Sequence, residues 1–304
     1  MRVAVTGATG TIGAALVAEL RERGDEVTAL SRDAERASQN LGVPAERWAA
    51  PTEEPPPAAA LSGHDAVVHL IGETIAQRWS DEAKREIRDS RVLSTRNLVT
   101  GLRDLPAADR PRVLVSQSGA GFYGERGDEP LDESAPAGDD FVARMVVEWE
   151  AEASAAAELG LRVALTRTGP VLSEGGALGK MLPFFKMGLG GPVAGGRQYF
   201  PWVHLDDVIG AMLFCLDTDT ASGPLNVTAP EPVTNREFSR ALGRVLHRPA
   251  FAPVPGLAVK TLYGEMAMIV TTGQRAIPAR LTELGYSFRR PELEDALREA
   301  TGGG

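Results

Sequence analysis

The stretch TGATGTIG at residues 6–13 constrains this chain more than any other. It follows the apolar run Val3, Ala4, Val5 and precedes Ile12, Leu16 and Leu20, which recur every four residues. That succession reads as strand, glycine turn, helix. Gly24-Asp25 ends the helix, and Glu26 to Ser31, rich in Val, Thr and Leu, supplies a second strand. The opening is therefore a βαβ unit of about thirty residues with parallel strands. In that setting Gly7 permits the tight turn, Gly10 lets the backbone approach a pyrophosphate, and Gly13 allows close packing of helix on strand. Thr9, Thr11 and Ile12 complete the turn, whose unpaired amides and positive helix-dipole end face the anion. A dinucleotide-binding turn is the reading, with a merely structural turn as its alternative.

An acidic residue at the end of the second strand would hold a free ribose hydroxyl, but this chain has Ser31-Arg32 there. A guanidinium beside a hydroxyl suits an additional 2'-phosphate, which selects NADP(H) over NAD(H). The competing reading is a solvent-facing arginine in a loop.

Further strands are expected at residues 66–71, 113–116 and 162–166, separated by helices around 82–102 and 141–159. This alternation predicts an α/β fold with a doubly wound parallel sheet. The proline-rich PTEEPPPAAA at 51–60 is a surface connection. After Gly169 the chain is dense in glycine and proline, and residues 173–204 are expected to form a loop or lid toward the substrate cleft. A helix at 206–217, opened by Asp206 and Asp207, and a strand at 225–228 complete a nucleotide-binding domain over 1–230. Thr234 and Glu237 form a capping box for a helix through His247, in a small α-rich C-terminal domain over 231–304.

Composition excludes several functions. One cysteine, Cys215, rules out an intramolecular disulfide framework, and the four histidines lack zinc-site spacing. Thirty-two basic against forty-one acidic residues give a net charge of -9, which opposes nucleic acid and anionic membrane as partners. No apolar run approaches the roughly 18 residues of a membrane span, and the apolar N-terminal run is too short for a signal peptide. A cytoplasmic location is expected.

The residues resemble an extended short-chain dehydrogenase/reductase, in which the glycine turn is followed by a strand-end serine and a later Tyr-x-x-x-Lys pair. Ser118 in SQSGAGFYG is similar to that serine, with one extra residue before Tyr123-Gly124. The pair itself is missing. Four places after Tyr123, Tyr199, Tyr263 and Tyr286 stand Gly127, Val203, Ala267 and Arg290, and the helix that carries the pair in the superfamily has Phe141 and Met145. Neither side chain exchanges a proton, so catalysis needs another acid or base. Tyr123, Glu148 and His204 are the candidates, and Ser118 with Tyr123 forms the expected catalytic set.

Longer strings narrow the resemblance. LIGETIAQRW, SRVLSTRNL, FYGERGDE, GDDFVARMVVEWEAEA, RTGPVL, GLGGPVAGGRQYFPWVHLDDV, LNVTAPEPVTNREF and GEMAMIVTTGQRAIPARL are together similar to the atypical "epimerase family" branch, often labelled cell-division inhibitors. The resemblance implies an α/β nucleotide-binding core, a small C-terminal domain, NADPH as cofactor and no Tyr-Lys pair. By position it implies that Leu70, Ile71 and Gly72 flank the cofactor cleft and that Ser116, Glu86, Arg91 and Arg167 address the cofactor. Solvated salt bridges are the competing reading for the three charged residues. Gln198, Trp202 and His204 lie between cofactor face and second domain, with Trp202 read as packing before pocket lining. The expected activity is NADP(H)-dependent hydride transfer at nicotinamide C4 to a small molecule, a nucleotide sugar or another carbonyl compound. A non-catalytic NADPH sensor is the alternative.

Overall fold

A computed structural model describes residues 1–302 of the chain. Its centre is a sheet of seven strands: β1 (Arg2–Thr6), β2 (Glu26–Ser31), β3 (Ala45–Arg47), β4 (Ala66–His69), β5 (Val113–Gly119), β6 (Arg162–Thr168) and β7 (Gly223–Val227). Their order is β7-β6-β5-β4-β1-β2-β3, and every pairing is parallel. Strand order reverses between β1 and β4, which opens a crevice at the carboxyl ends of these strands.

Both faces are apolar because helices cover both. Helix α1 (Thr11–Glu22) follows β1, and α2 (Ala34–Leu41) follows β2. Along β5, Val113 and Val115 join the core beneath α1, while Leu114 joins the opposite core with Leu98 and Leu102 of α3 (Asp81–Asp104). In α1, Gly13, Leu16, Val17 and Leu20 are buried, a stripe at helical spacing.

Strands β5 and β6 run past their expected ends, pairing Ser118 with Arg167 and Gly119 with Thr168. Polar residues end the apolar patterns there, yet the side chains of Ser118 and Arg167 are buried in a bonded network that keeps the strands paired. Strand β4 stops at His69, so Leu70 and Ile71 lie just beyond it. The helix expected over 141–159 is α4 (Phe141–Ser154) followed by a tighter turn to Leu159.

Residues 173–204 are not all loop. They contain a helix, Ala177–Lys186, in which Leu178, Leu182 and Phe185 are buried. That stripe packs with Trp202, with Phe238 and Leu242 of the helix Asn235–Val245, and with Leu297 of the C-terminal helix Leu293–Ala300. The capping box at Thr234 forms as expected, but its helix ends at Val245 and His247 turns to a φ of 52°. No helix among the described residues is long and apolar enough to cross a membrane.

Candidate functional site

Helix α1 follows Gly10 at its N-cap position, with no side-chain cap and no acidic residue in its first turn. By contrast, the neighbouring helices are capped by the side chains of Asp33, Ser80 and Asp140. The first amides of α1 have no intrahelical acceptor, so this end is built to receive an anion. Gly7 adopts a φ of 64°, and a Cβ there would stand 2.8 Å from the Leu70 carbonyl. A Cβ at Gly13 would stand 2.3 Å from the Gly7 oxygen. Gly10 has extended backbone that any residue adopts, so its lack of a side chain serves the open face above the turn. Thr9 and Thr11 are exposed on that face and Ile12 is half-buried. The cradle fits a pyrophosphate.

The strand ends beneath the turn are fixed by His69. Its Nδ1 lies 2.7 Å from Thr6 Oγ1 and its Nε2 3.0 Å from Thr95 Oγ1. Thr95 gives its proton to the Arg91 carbonyl, and Thr6 accepts from the Leu70 amide. The pattern closes for a neutral ring in which Nε2 donates and Nδ1 accepts, and burial pushes the imidazole down to about 3. Since an unfolded histidine titrates near pH 6.5, stability from His69 is fully present above that value and is lost as pH falls toward about 3. The unfolding free energy is expected to drop through this window more steeply than in a His69→Gln variant, by about 1.4 kcal/mol per pH unit. Equal slopes in urea titrations at several pH values would contradict the neutral-ring assignment.

At the end of β2 the Ser31 hydroxyl accepts from the Asp33 amide at 3.3 Å, and Arg32 is exposed with no ion pair among the described residues. Beyond β4, Leu70 and Ile71 are half-buried and Gly72 is exposed. Arg91 reaches this edge. It donates to the Ile87 and Glu73 carbonyls at 2.8 and 2.9 Å, and a Cβ on Gly72 would touch it at 3.0 Å. Burial, partly offset by the Glu73 charge, brings its guanidinium down to about 10. Carbonyls rather than a solvated salt bridge therefore hold Arg91. Glu86 is exposed and forms no ion pair among the described residues. Ser116 is buried in register with His69, its hydroxyl 3.3 Å from the Gln117 carbonyl.

Three residues singled out separately come together in one buried network. Ser118 donates to Glu150 Oε1 at 2.6 Å, and Arg167 grips both oxygens of Glu150 at 2.8 Å each. The same guanidinium donates to the Tyr123 hydroxyl at 3.0 Å, which donates to Asn226 Oδ1 at 2.7 Å. Phe122 stacks 3.4 Å from Arg167. Burial pushes the Tyr123 phenol up, against the pull of Arg167. The pair formed by Arg167 is thus buried rather than solvated. Glu150 and Asn226 escaped the sequence reading, although Glu150 interrupts a stripe of Ala143, Val146 and Ala153 on α4.

The other proton-transfer candidates are also engaged. Glu148 is bound by Arg88 on the surface. His204 is buried, with Nε2 2.5 Å from Glu299 and Nδ1 accepting from the Asp206 amide. Trp202 is packing, as first read, at 1% exposure. Asp207 does more than open a helix: its carboxylate accepts from the Arg289 and Arg290 amides at 2.6 and 2.9 Å. Gln198 bridges the Val193 and Val270 carbonyls.

The segment from Ser173 to Lys180 crosses above the crevice. Gly175 is seated on Thr11, where a Cβ would lie 2.5 Å from the threonine hydroxyl. At the other end Lys180 Nζ donates to the Ala76 carbonyl at 2.9 Å. Ser173 Oγ is buried beside them with no hydrogen-bond partner among the described residues. The segment lies within the stretch 173–204 expected to form a loop or lid, but the individual contacts of Gly175 and Lys180 carried no sequence signal.

Comparison with known proteins shows the family of the chain and agrees with its fold. The profile of the NAD dependent epimerase/dehydratase family matches residues 3–228, and that of a domain of unknown function, DUF1731, matches residues 254–300. The chloroplastic SDR39U1 homologue of Arabidopsis thaliana, an epimerase family protein, is 42% identical over 299 residues, covering 98% of this chain and 86% of its own. Epimerase family protein YfhF of Bacillus subtilis is 33% identical over 98% of this chain and 97% of its own. The crystal structure of human epimerase family protein SDR39U1 with NADPH superposes with a TM-score of 0.88 at 36% identity, covering 100% of both chains. The chain belongs to the NAD dependent epimerase/dehydratase family, in the extended short-chain dehydrogenase/reductase branch of its SDR39U1-named relatives.

Proposed function

We propose that this protein binds NADP(H) on the α1 turn and reduces or epimerises a small carbonyl compound in a cleft between a coenzyme-binding unit, residues 1–230, and a C-terminal unit, residues 231–304. The observation that carries the reading is the uncapped glycine turn with Arg32 at the neighbouring strand end. The human relative solved with NADPH supports it. When bound, the reduced coenzyme supplies hydride from C4 of its nicotinamide ring. The amides of residues 11–13 would hold the pyrophosphate, with Thr9 and Thr11 at its edge. Ser31 and Arg32 would hold the 2'-phosphate, Leu70 to Gly72 the adenosine half, and the Ser173–Lys180 segment would exclude water from above.

An Arg32→Asp variant is expected to lose about tenfold or more in NADPH affinity by calorimetry while NADH affinity changes little, since one charge-assisted contact is replaced by a repulsion. Comparable losses for both coenzymes would overturn the 2'-phosphate contact. A second reading, a non-catalytic NADPH sensor, draws support from the internal bonds that occupy Ser118, Tyr123, Glu148 and His204. A sensor would discriminate strongly between NADPH and NADP+ in the same titrations and oxidise no NADPH.

A further inference from the structure

With a pyrophosphate at the end of β1 and the 2'-phosphate contact at β2, the nicotinamide half must extend over β4, β5 and β6. The wall there is apolar. Trp79, Phe122, Phe141, Met145, Met266 and Met268 form one cluster drawn from the segment before α3, from the β5–α4 connection, from α4 and from the C-terminal region. Phe122, Phe141 and Met268 are half-buried and form its open side. Trp79 packs edge-on to Phe141 with centroids 5.2 Å apart, and its indole N–H is spent on the Ile75 carbonyl at 2.9 Å. Two of the nearby cations are committed as well, while Arg78, beside Trp79, is exposed and forms no ion pair among the described residues. Lys84, 5.4 Å from the Phe141 ring, pairs with Glu265, and Arg167 beside Phe122 pairs with Glu150.

Two consequences follow for what this wall can accept. A sugar nucleotide brings a second pyrophosphate and several hydroxyls, which need several donors and cations, whereas the cluster itself offers none and its rim only Arg78. Reduction of an aliphatic ketone also makes an alkoxide, nearly as basic as hydroxide from water of pKa about 15.7, and so requires a protein acid. A quinone yields instead a phenolate-type anion, whose conjugate acid has a pKa of about 10 and takes its proton from water unaided.

Resting on the coenzyme reading above, we propose that the second substrate is a quinone or similarly conjugated aromatic carbonyl compound, seated against Phe122, Phe141 and Met268. The acceptor takes a hydride, two electrons and one hydrogen nucleus, from the bound dihydronicotinamide and one proton from water. The products are the hydroquinone and the oxidised coenzyme. Loss of the Tyr-Lys pair and its replacement by Phe141 and Met145 are then parts of one adaptation.

The test is calorimetric titration of the NADP+-loaded protein, which cannot turn over, with 1,4-naphthoquinone and separately with UDP-glucose. Cys215 is buried, so quinone addition to a thiol does not confuse the signal. Naphthoquinone is expected to bind, UDP-glucose not, and Met268→Asp and Phe141→Asp each to weaken naphthoquinone by about tenfold or more. Met268→Asp lies at the open rim, and its NADP+ affinity reports whether it has folded. Oxidation of NADPH by naphthoquinone, followed in parallel, should exceed that with UDP-glucose. Binding of UDP-glucose without naphthoquinone, or naphthoquinone affinity indifferent to both substitutions, overturns the proposal and leaves the coenzyme reading standing. Failure of NADP+ itself to bind overturns both.

Discussion

Replacing Arg167 by leucine is expected to destabilise the protein by about 3–5 kcal/mol, because it strands the Glu150 carboxylate in the interior. The side chains of Arg167 and Glu150 are only 4% and 10% exposed, so water cannot take over the missing contact. Tyr123 would lose a donor at the same time. Removing both charges in an Arg167→Leu, Glu150→Leu double variant should restore much of the loss, since a buried ion pair contributes little net stability over apolar side chains of similar size. Urea unfolding of the two single variants and the double variant gives the coupling directly. A loss below about 1 kcal/mol for Arg167→Leu is what a solvated surface pair would give, and would contradict the buried network.

The second large effect belongs to the glycine turn. In Gly13→Val the new side chain would meet backbone at 2.3 Å, from the Gly7 oxygen, with no flexible group to yield. Helix α1 must move off β1, and its amides then miss the pyrophosphate. Losing two charge-assisted bonds corresponds to about a hundredfold or more in NADPH affinity, with reduced stability besides. Gly10→Ala separates the two roles. Its backbone is extended and the added Cβ would lie 3.3 Å from the Gly7 oxygen, so folding should be nearly normal while NADPH binding still weakens. Calorimetry beside urea unfolding distinguishes them, and unchanged NADPH affinity in both variants would remove the turn from the site.

What the sequence disclosed and what it hid follow from range. The glycine turn, the apolar strands and the α1 stripe are local patterns, and the parallel sheet follows from them. The helix Ala177–Lys186 is also local, but Pro183 and the surrounding glycines masked a stripe of Leu178, Leu182 and Phe185. The buried network is not local at all. Ser118 meets Glu150 at a separation of 32 residues, and Tyr123 meets Asn226 at 103. Ser118, Tyr123 and Arg167 could be picked out one by one, but only tertiary contacts reveal that they satisfy one another. His69 is similar, since its partner Thr6 lies 63 residues away.

With the coenzyme where we propose it, the bridge from Thr11 to Ala76 built by Gly175 and Lys180 would impose an order of arrival and departure. On the proposed reading, a coenzyme threaded beneath it would leave only when the ammonium releases its carbonyl and the glycines swing outward, whereas a small acceptor approaching along the Phe141 side would meet only the Lys84–Glu265 surface pair. Turnover would then be sequential, coenzyme first in and last out, with its residence time governed by the strap and independent of how quickly the acceptor reacts.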